Sequence, residues 1–510
     1  MDLEKSTENS RTLKPKIIII GAGIAGIAAG EFLSRKGFTD FQILEATGRT
    51  GGRIWSVSVD DDGHKAELGA NWIHGIERNP IFQIADQNHL LQLRHADHTL
   101  KRHDLYVMEN GTRVSEKIVK EVDFSYGMLI QQCEDFFVSG IPTSDENDSV
   151  GEYLVSEFEE KLDKYSNNDR KVRQLIFNQR LLLECCISGC DRLEEVSLSE
   201  FGSYEELPGV HYTIPPGFEA ILEILKKSIP EKNFCLNKPV KCVSWDMSSE
   251  KTGQKVCVEC EDGEKFYANH VISTVSLGVL KAACDRMFVP PLPKDKKEAI
   301  QSLGFGIVNK VILEFDEPVV ASDVFRIHLL WDSQENGPGT DLRSTWFRKM
   351  YSFEVVHDHV LIGDQVQDRG TCNGETNHIG SQHTRQLLMG WLSGNQAIFM
   401  ESLTEEEIAD DCIEILKKFL QKKDIPRPKR VLRTRWGSNQ YTRGSYTFIA
   451  VGSYHSYIDS LMEPLTPVDS DTPRVLFAGE ATHPTFYSTT HGALLSGYRE
   501  AQRIVSLYSP

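Results

Sequence analysis

Apolar and polar positions follow two rhythms along this chain, and the changes of rhythm mark its organisation. Ile17 to Ile20 form an unbroken β-branched run, as expected of a strand buried on both faces. Over 24–36 the apolar spacing becomes three and four, which predicts a helix, and 41–44 read as a second strand. From 79 to 191 the texture is helical, with that same spacing over 80–91, 119–137 and 170–186, and a polar loop at 144–148. Pro215-Pro216-Gly217 breaks the chain before a helix that runs to Ser228. Short strands over 239–245, 255–259, 265–268 and 271–274 suggest a meander that returns to the first fold. Residues 285–293, with Pro290 and Pro291, read as a linker, and a helix follows over 295–303. Strands are expected over 309–315 and 387–392, an amphipathic helix over 405–420, a buried strand over 475–478 and a closing helix over 492–508.

The turn between the first strand and helix carries candidate chemistry. Gly21, Gly23 and Gly26 fill a G-x-G-x-x-G spacing. The first glycine permits the tight turn, the second lets the backbone approach a pyrophosphate, and the third lets helix and strand pack closely. The helix N-terminus directs its N–H groups and dipole at the anion. Glu45 ends the second strand about two dozen residues on, where an acid accepts from ribose hydroxyls and disfavours a 2′-phosphate. Next, Arg49-Thr50-Gly51-Gly52-Arg53 sets two glycines between two arginines, suiting phosphate contact. Near the far end, Gly479-Glu480-Ala481-Thr482 links a strand to the last helix and makes a second anion-friendly turn. Both ends of the chain can therefore meet one cofactor.

Composition narrows the class. With 510 residues the chain is long enough for two domains, and 40% hydrophobic with 25% charged residues is ordinary for a globular protein. No apolar run approaches a membrane span, and the polar start has no signal-peptide core, so a short disordered tail is expected there. The net charge of −18 argues against nucleic acid as a partner and suits a cationic substrate. The 11 cysteines are scattered and expected to be reduced. Cys257 and Cys260 have C-x-x-C spacing without a second pair, so they read as strand residues, and no metal site is expected.

Six further positions admit two readings each. His74, in the small-residue segment 67–75, is either structural or placed beside a flat ring. Glu184 lies between Leu183 and Cys185 in an apolar helix, and a buried carboxylate needs a partner, either a basic side chain or a cationic substrate. Lys310 heads a strand, where a lysine is ordinarily exposed. Trp436, Tyr441 and Tyr446 are either packing aromatics or the lining of a site.

The segments GAGIAG, LEATGRTGGRI, ELGANWIHG, LGFGIVNKVILEF, YTRGSY and AGEATHPTFYSTTHGALLSG together resemble the flavin-dependent amine oxidases, in particular the animal polyamine oxidases. The likeness covers nearly the whole chain after residue 15. It implies noncovalent FAD, with Gly21, Gly23, Gly26 and Glu45 on the ADP half and Val240 near the adenine. Arg53, Gly479 and Glu480 would lie along the diphosphate and ribityl chain, and Trp436 and Tyr441 would border the flavin. It makes Lys310 and His74 catalytic candidates and sets Glu184, Tyr446 and His211 beside the substrate. The implied reaction oxidises spermine and/or N1-acetylated polyamines with O2 to a shorter polyamine, an aldehyde and H2O2. Two branches stay open: EVSLSEFGSYEELPGVHYTIPPGF, which contains His211, resembles spermine oxidases, and SVGEYL and LECCISG resemble the acetylpolyamine enzymes. Gln440 stands where covalent relatives carry a cysteine. An oxidase of another amine and a non-enzymatic prenyl-GTPase chaperone of the GDI type are the alternatives.

The expected fold is α/β: a Rossmann-like FAD-binding domain from 1–95, 210–290 and 425–510, with a mixed α+β substrate domain from 96–209 and 291–424. The expected state is a monomer without membrane attachment. The expected compartment is the cytoplasm, with the peroxisome as the alternative, because SLYSP is not a Ser-Lys-Leu address.

Overall fold

The computed structural model describes residues 14–59, 65–91, 102–143, 148–247, 254–332, 341–356 and 385–508. The expected N-terminal tail up to residue 13 and most of the polar loop at 144–148 lie outside them.

The Ile17–Ile20 strand is the centre of a five-stranded, all-parallel sheet ordered Val475–Phe477, His270–Ser273, Ile17–Ile20, Phe41–Leu44, Phe234–Cys235. Its four isoleucines are buried in strict alternation. Ile17 and Ile19 join the core beneath the Ile24–Arg35 and Thr490–Tyr508 helices, and Ile18 and Ile20 join the core on the opposite face. The two helices touch closely: a Cβ at Gly497 would stand 2.1 Å from the Ala25 carbonyl oxygen. Gly26 is as tight, since its Cβ would meet the Gly21 carbonyl oxygen at 2.0 Å. Both helices thereby aim their N-termini at the carboxyl edge of the sheet.

Val240–Ser244, Val256–Cys260 and Lys265–Ala268 form the expected antiparallel meander, with Cys257 and Cys260 in its middle strand. The fourth expected strand instead enters the parallel sheet as His270–Ser273. The linker expected over 285–293 is a correction. It comprises the end of the Leu277–Met287 helix and a strand, Phe288–Val289, parallel to Val243 and Ser244. The prolines follow that strand directly, with a cis bond at Val289–Pro290.

A second body is built on a six-stranded sheet ordered Arg430–Arg433, Val308–Phe315, Gln386–Ser393, Ser352–Val356, Val324–Leu330, His103–Met108. All neighbours are antiparallel except the last pair. Val308–Phe315 is buried at every position. The helices Glu116–Val138, Val150–Leu162 and Asn167–Ser188 form a layer with their own core. Asn167–Ser188 ends on Gly189 at φ +83, where a side chain would be strained and would meet the Tyr446 ring at 2.6 Å.

Candidate active site

One cavity of about 1280 Å³ runs from the glycine turn to the six-stranded sheet and the helical layer. At its first end Gly21, Gly23, Ile24 and Ala25 line the wall. Gly21 has φ +99, as its tight turn requires. A Cβ at Gly23 would meet nothing nearer than 4.0 Å, so the backbone there faces open space. Among the described residues no side chain caps the Ile24–Arg35 helix, which leaves its first N–H groups for an anion. Glu45 is buried at this end and braces the turn: Oε2 accepts from Ala22 N at 2.9 Å, and Oε1 accepts from Thr47 N and Oγ1 at 2.9 and 2.8 Å. Oε1 has both lone-pair sites occupied, whereas Oε2 keeps one for a further donor. Val240 lines the same end, close to where Lys238 N bonds the Glu45 carbonyl at 2.8 Å.

The two arginines of the second turn behave differently. Arg49 bonds the carbonyls of Thr50, Gly52 and Ile54, so its guanidinium shapes its own loop, where the sequence suggested a phosphate contact. Arg53 reaches across the fold to the Ser445 carbonyl at 2.6 Å and Glu480 Oε1 at 2.9 Å. Glu480 also accepts from Thr447 Oγ1 at 3.2 Å and Ser488 N at 3.0 Å, and with Gly479 it lines the cavity.

Midway, Lys310 is buried, not exposed. Its Nζ donates to the carbonyls of Glu67 and Gly69, both at 2.7 Å, and lies 4.3 Å from the Trp391 ring centroid. Burial pushes its pKa well down, with nearby Glu67 pulling it back in part. Trp436 is buried, sits edge-on to Trp55 at 6.4 Å and takes its place through Asn309, whose Oδ1 accepts from Trp436 N. Tyr441 lines the wall nearby, its N–H held by Asn439 Oδ1 at 2.9 Å. The Tyr446 hydroxyl donates to the Cys186 carbonyl, which ties the sheet side to the helical layer.

The far wall is acidic. Glu184 is buried and lines the cavity, with Tyr126 donating to Oε2 at 2.9 Å and Ser188 to Oε1 at 3.1 Å. Its partners are thus hydroxyls, and no basic side chain pairs with it among the described residues. Burial raises its pKa, and Glu206 adds to the rise. Glu134 and Glu206 line the same wall. His74 is exposed to the cavity, and desolvation by the surrounding walls lowers its pKa to about 4, with His211 contributing. His211 stands edge-on at 5.2 Å; its Nδ1 accepts from Gly75 N, so the proton of the neutral ring sits on Nε2, 3.5 Å from Glu206 Oε1.

Every site residue picked from sequence lines this one space except Gly26, which packs against Gly21 behind the turn. Sequence reasoning missed Trp391, Glu354 and Arg326, which also line it. Only strand register brings them there, and a single strand's pattern does not carry register.

The flavin containing amine oxidoreductase family matches this chain over residues 24–505. The chain belongs to that family. Among its relatives, the peroxisomal N(1)-acetyl-spermine/spermidine oxidase of Homo sapiens is 37% identical over 97% of this chain and 96% of that protein. The Bos taurus protein of the same name is 36% identical with the same coverage. A solved structure of a putrescine oxidase double mutant, from a redesign of cofactor binding, superimposes with a TM-score of 0.68 at 19% identity, covering 97% of this chain and 99% of that one. That likeness shows the amine oxidase fold. This amine oxidase is an FAD-dependent enzyme. The open space at Gly23, the uncapped helix N-terminus and the length of the cavity fit an elongated dinucleotide with a flat ring. No described helix is long and apolar enough to cross a membrane.

Proposed function

We propose that this amine oxidase acts on polyamines, spermine and its N1-acetylated forms. The observation that carries the reading is the continuity of one cavity between an anion-ready glycine turn, a buried lysine and three carboxyl groups. Gly21, Gly23, Gly26 and Glu45 would hold the ADP half, Val240 the adenine side, and Arg53 with Gly479 and Glu480 the middle. Trp436 and Tyr441 would flank the ring. The two-domain division expected from sequence is kept as part of this proposal, with Arg430–Arg433 extending the second sheet.

When bound, FAD supplies the acceptor for two electrons from the amine C–H and passes them to O2, which leaves as H2O2. Everything else falls to the chain. The reacting nitrogen must be neutral, and a water-poor, partly cationic floor around Lys310 favours that form. Neutral Lys310 has two N–H groups, both matched by the Glu67 and Gly69 carbonyls, so its lone pair remains for a cavity water. That water would move a proton and later add to the imine carbon, which breaks the C–N bond to give an aldehyde and a shorter amine. Neutral His74 adds a hydrogen-bonding edge without adding charge next to a polycation. Glu184 would receive a distal ammonium, a contact that draws its proton off. Tyr446 would wall the channel through its bond to Cys186.

The test is H2O2 release by purified enzyme with spermine and N1-acetylspermine, compared by kcat/KM. Turnover of at least one supports the reading, and no peroxide from either, with FAD bound, overturns it. For compartment, the names of the relatives favour the peroxisomal alternative over the cytoplasm, and fractionation of cells expressing the full chain tests it.

A further inference from the structure

The cavity has a chemical polarity beyond the roles given so far. The helical layer and the loop after it offer Glu134, Glu184 and Glu206, whereas the sheet floor offers the donors of Lys310 and Arg326. Register explains the floor. Lys310 lies opposite Trp391, Met389 lies opposite Glu354, and Glu354 lies opposite Arg326. Alternation then sets Lys310, Trp391, Glu354 and Arg326 on one face of the sheet. Arg326 is largely enclosed yet lines the cavity. Its Nη2 donates to Glu354 Oε2 at 3.2 Å, and its buried Nε meets no acceptor among the described residues. A guanidinium has donors only, so this edge calls for an acceptor from a ligand.

We propose that Arg326 is a specificity-determining residue that receives the carbonyl oxygen of an N-acylated polyamine. This rests on the polyamine reading above and names the member of that class the site prefers. A free polyamine is cationic at both ends and meets a repelling donor here. A singly acylated one is neutral with a carbonyl acceptor at one end and cationic at the other, which matches the floor and the acidic wall together. Glu354 offsets the charge of Arg326, so the floor favours a neutral amide over a carboxylate. The Lys310 and Arg326 strands are separated by two strands, roughly 14 Å at the usual spacing, and long side chains reach into that gap from each side.

The test is the ratio of kcat/KM for N1-acetylspermine to that for spermine, in the FAD-loaded full chain. R326K keeps an ion pair with Glu354 and removes the planar fork. R326Q/E354Q removes both charges, so no buried carboxylate is left unpaired, and it covers the case in which R326K does not retain flavin. Expected is a fall of at least tenfold in the ratio, mainly through KM for the acetylated amine, with the flavin absorbance of wild type. An unchanged ratio, or equal losses on both substrates, overturns the proposal and leaves the polyamine reading standing. No turnover of either amine by the wild type overturns both.

Discussion

The two ends of the cavity are made of different materials. At the glycine turn the ligand-facing groups are backbone N–H donors and the absence of side chains. At the sheet floor they are long polar side chains, Lys310, Glu354 and Arg326, raised on one face of the six-stranded sheet. A backbone site is defined by local geometry and fails when volume is added. A side-chain site is defined by register and charge and fails when a charge is moved. The first suits a cofactor that stays, and the second suits substrates that come and go.

The sharpest way to break the comparison is at the turn. Gly26→Ala sets a Cβ 2.0 Å from a backbone oxygen that cannot yield. It should cost about 3 kcal/mol or more and abolish flavin retention, read by melting temperature and flavin absorbance. Gly23→Ala, with no protein atom nearer than 4.0 Å, should fold as wild type and lose FAD affinity alone. If the two variants melt alike, the backbone account of this end is wrong.

At the other end, Lys310→Met should keep the flavin and slow its bleaching by amine about 10²-fold or more in rapid mixing. Retained rates would remove Lys310 from proton handling. Glu184→Gln should raise KM for polyamines about tenfold with little change in kcat. The pH dependence has a definite sign. Burial holds the Glu184 pKa above the ordinary carboxylate range, so the folded state keeps a proton that the unfolded chain has lost. Its contribution to stability is complete at acidic pH, below the unfolded value, and fades as pH rises through the raised one. Glu184→Gln should flatten that part of the melting-temperature profile. The smallest effect is expected at Glu134, which is only partly enclosed: Glu134→Gln should raise KM two- to threefold at low salt, roughly, and lose its effect at high salt.

The same contrast governs what could be read in advance. The 17–44 strand–turn–helix–strand and the Glu405–Leu420 helix, which opens on a complete Thr404–Glu407 capping box, were legible because their determinants are contiguous. Of the six strands in the second sheet only two were picked out. His103–Met108, Val324–Leu330 and Ser352–Val356 bury polar residues such as His328 and Glu354 on one face, which blurs their alternation. Arg430–Arg433 is short and flanked by basic residues. Glu184 was legible as an anomaly, but its hydroxyl partners Tyr126 and Ser188 were not, because one is 58 residues away. Arg49 and Arg53 looked equivalent in sequence, and only the packed loop tells which guanidinium is free to cross the fold.

Glu67 joins the two materials. Its carbonyl holds Lys310 Nζ, while its carboxylate accepts from Phe218 N at 2.7 Å and from Ser56 Oγ at 2.9 Å. One residue thus clasps the head of the Glu219–Lys226 helix to the lysine of the opposite sheet. The halves are therefore poor candidates for modular exchange. A chimera that grafts a foreign cofactor half onto this substrate half inherits a different clasp, and with it a different basicity at the reacting centre. Lineages that retune one half carry a constraint into the other, and laboratory recombination would do best with crossovers that keep residues 56–69 and 308–315 from one parent.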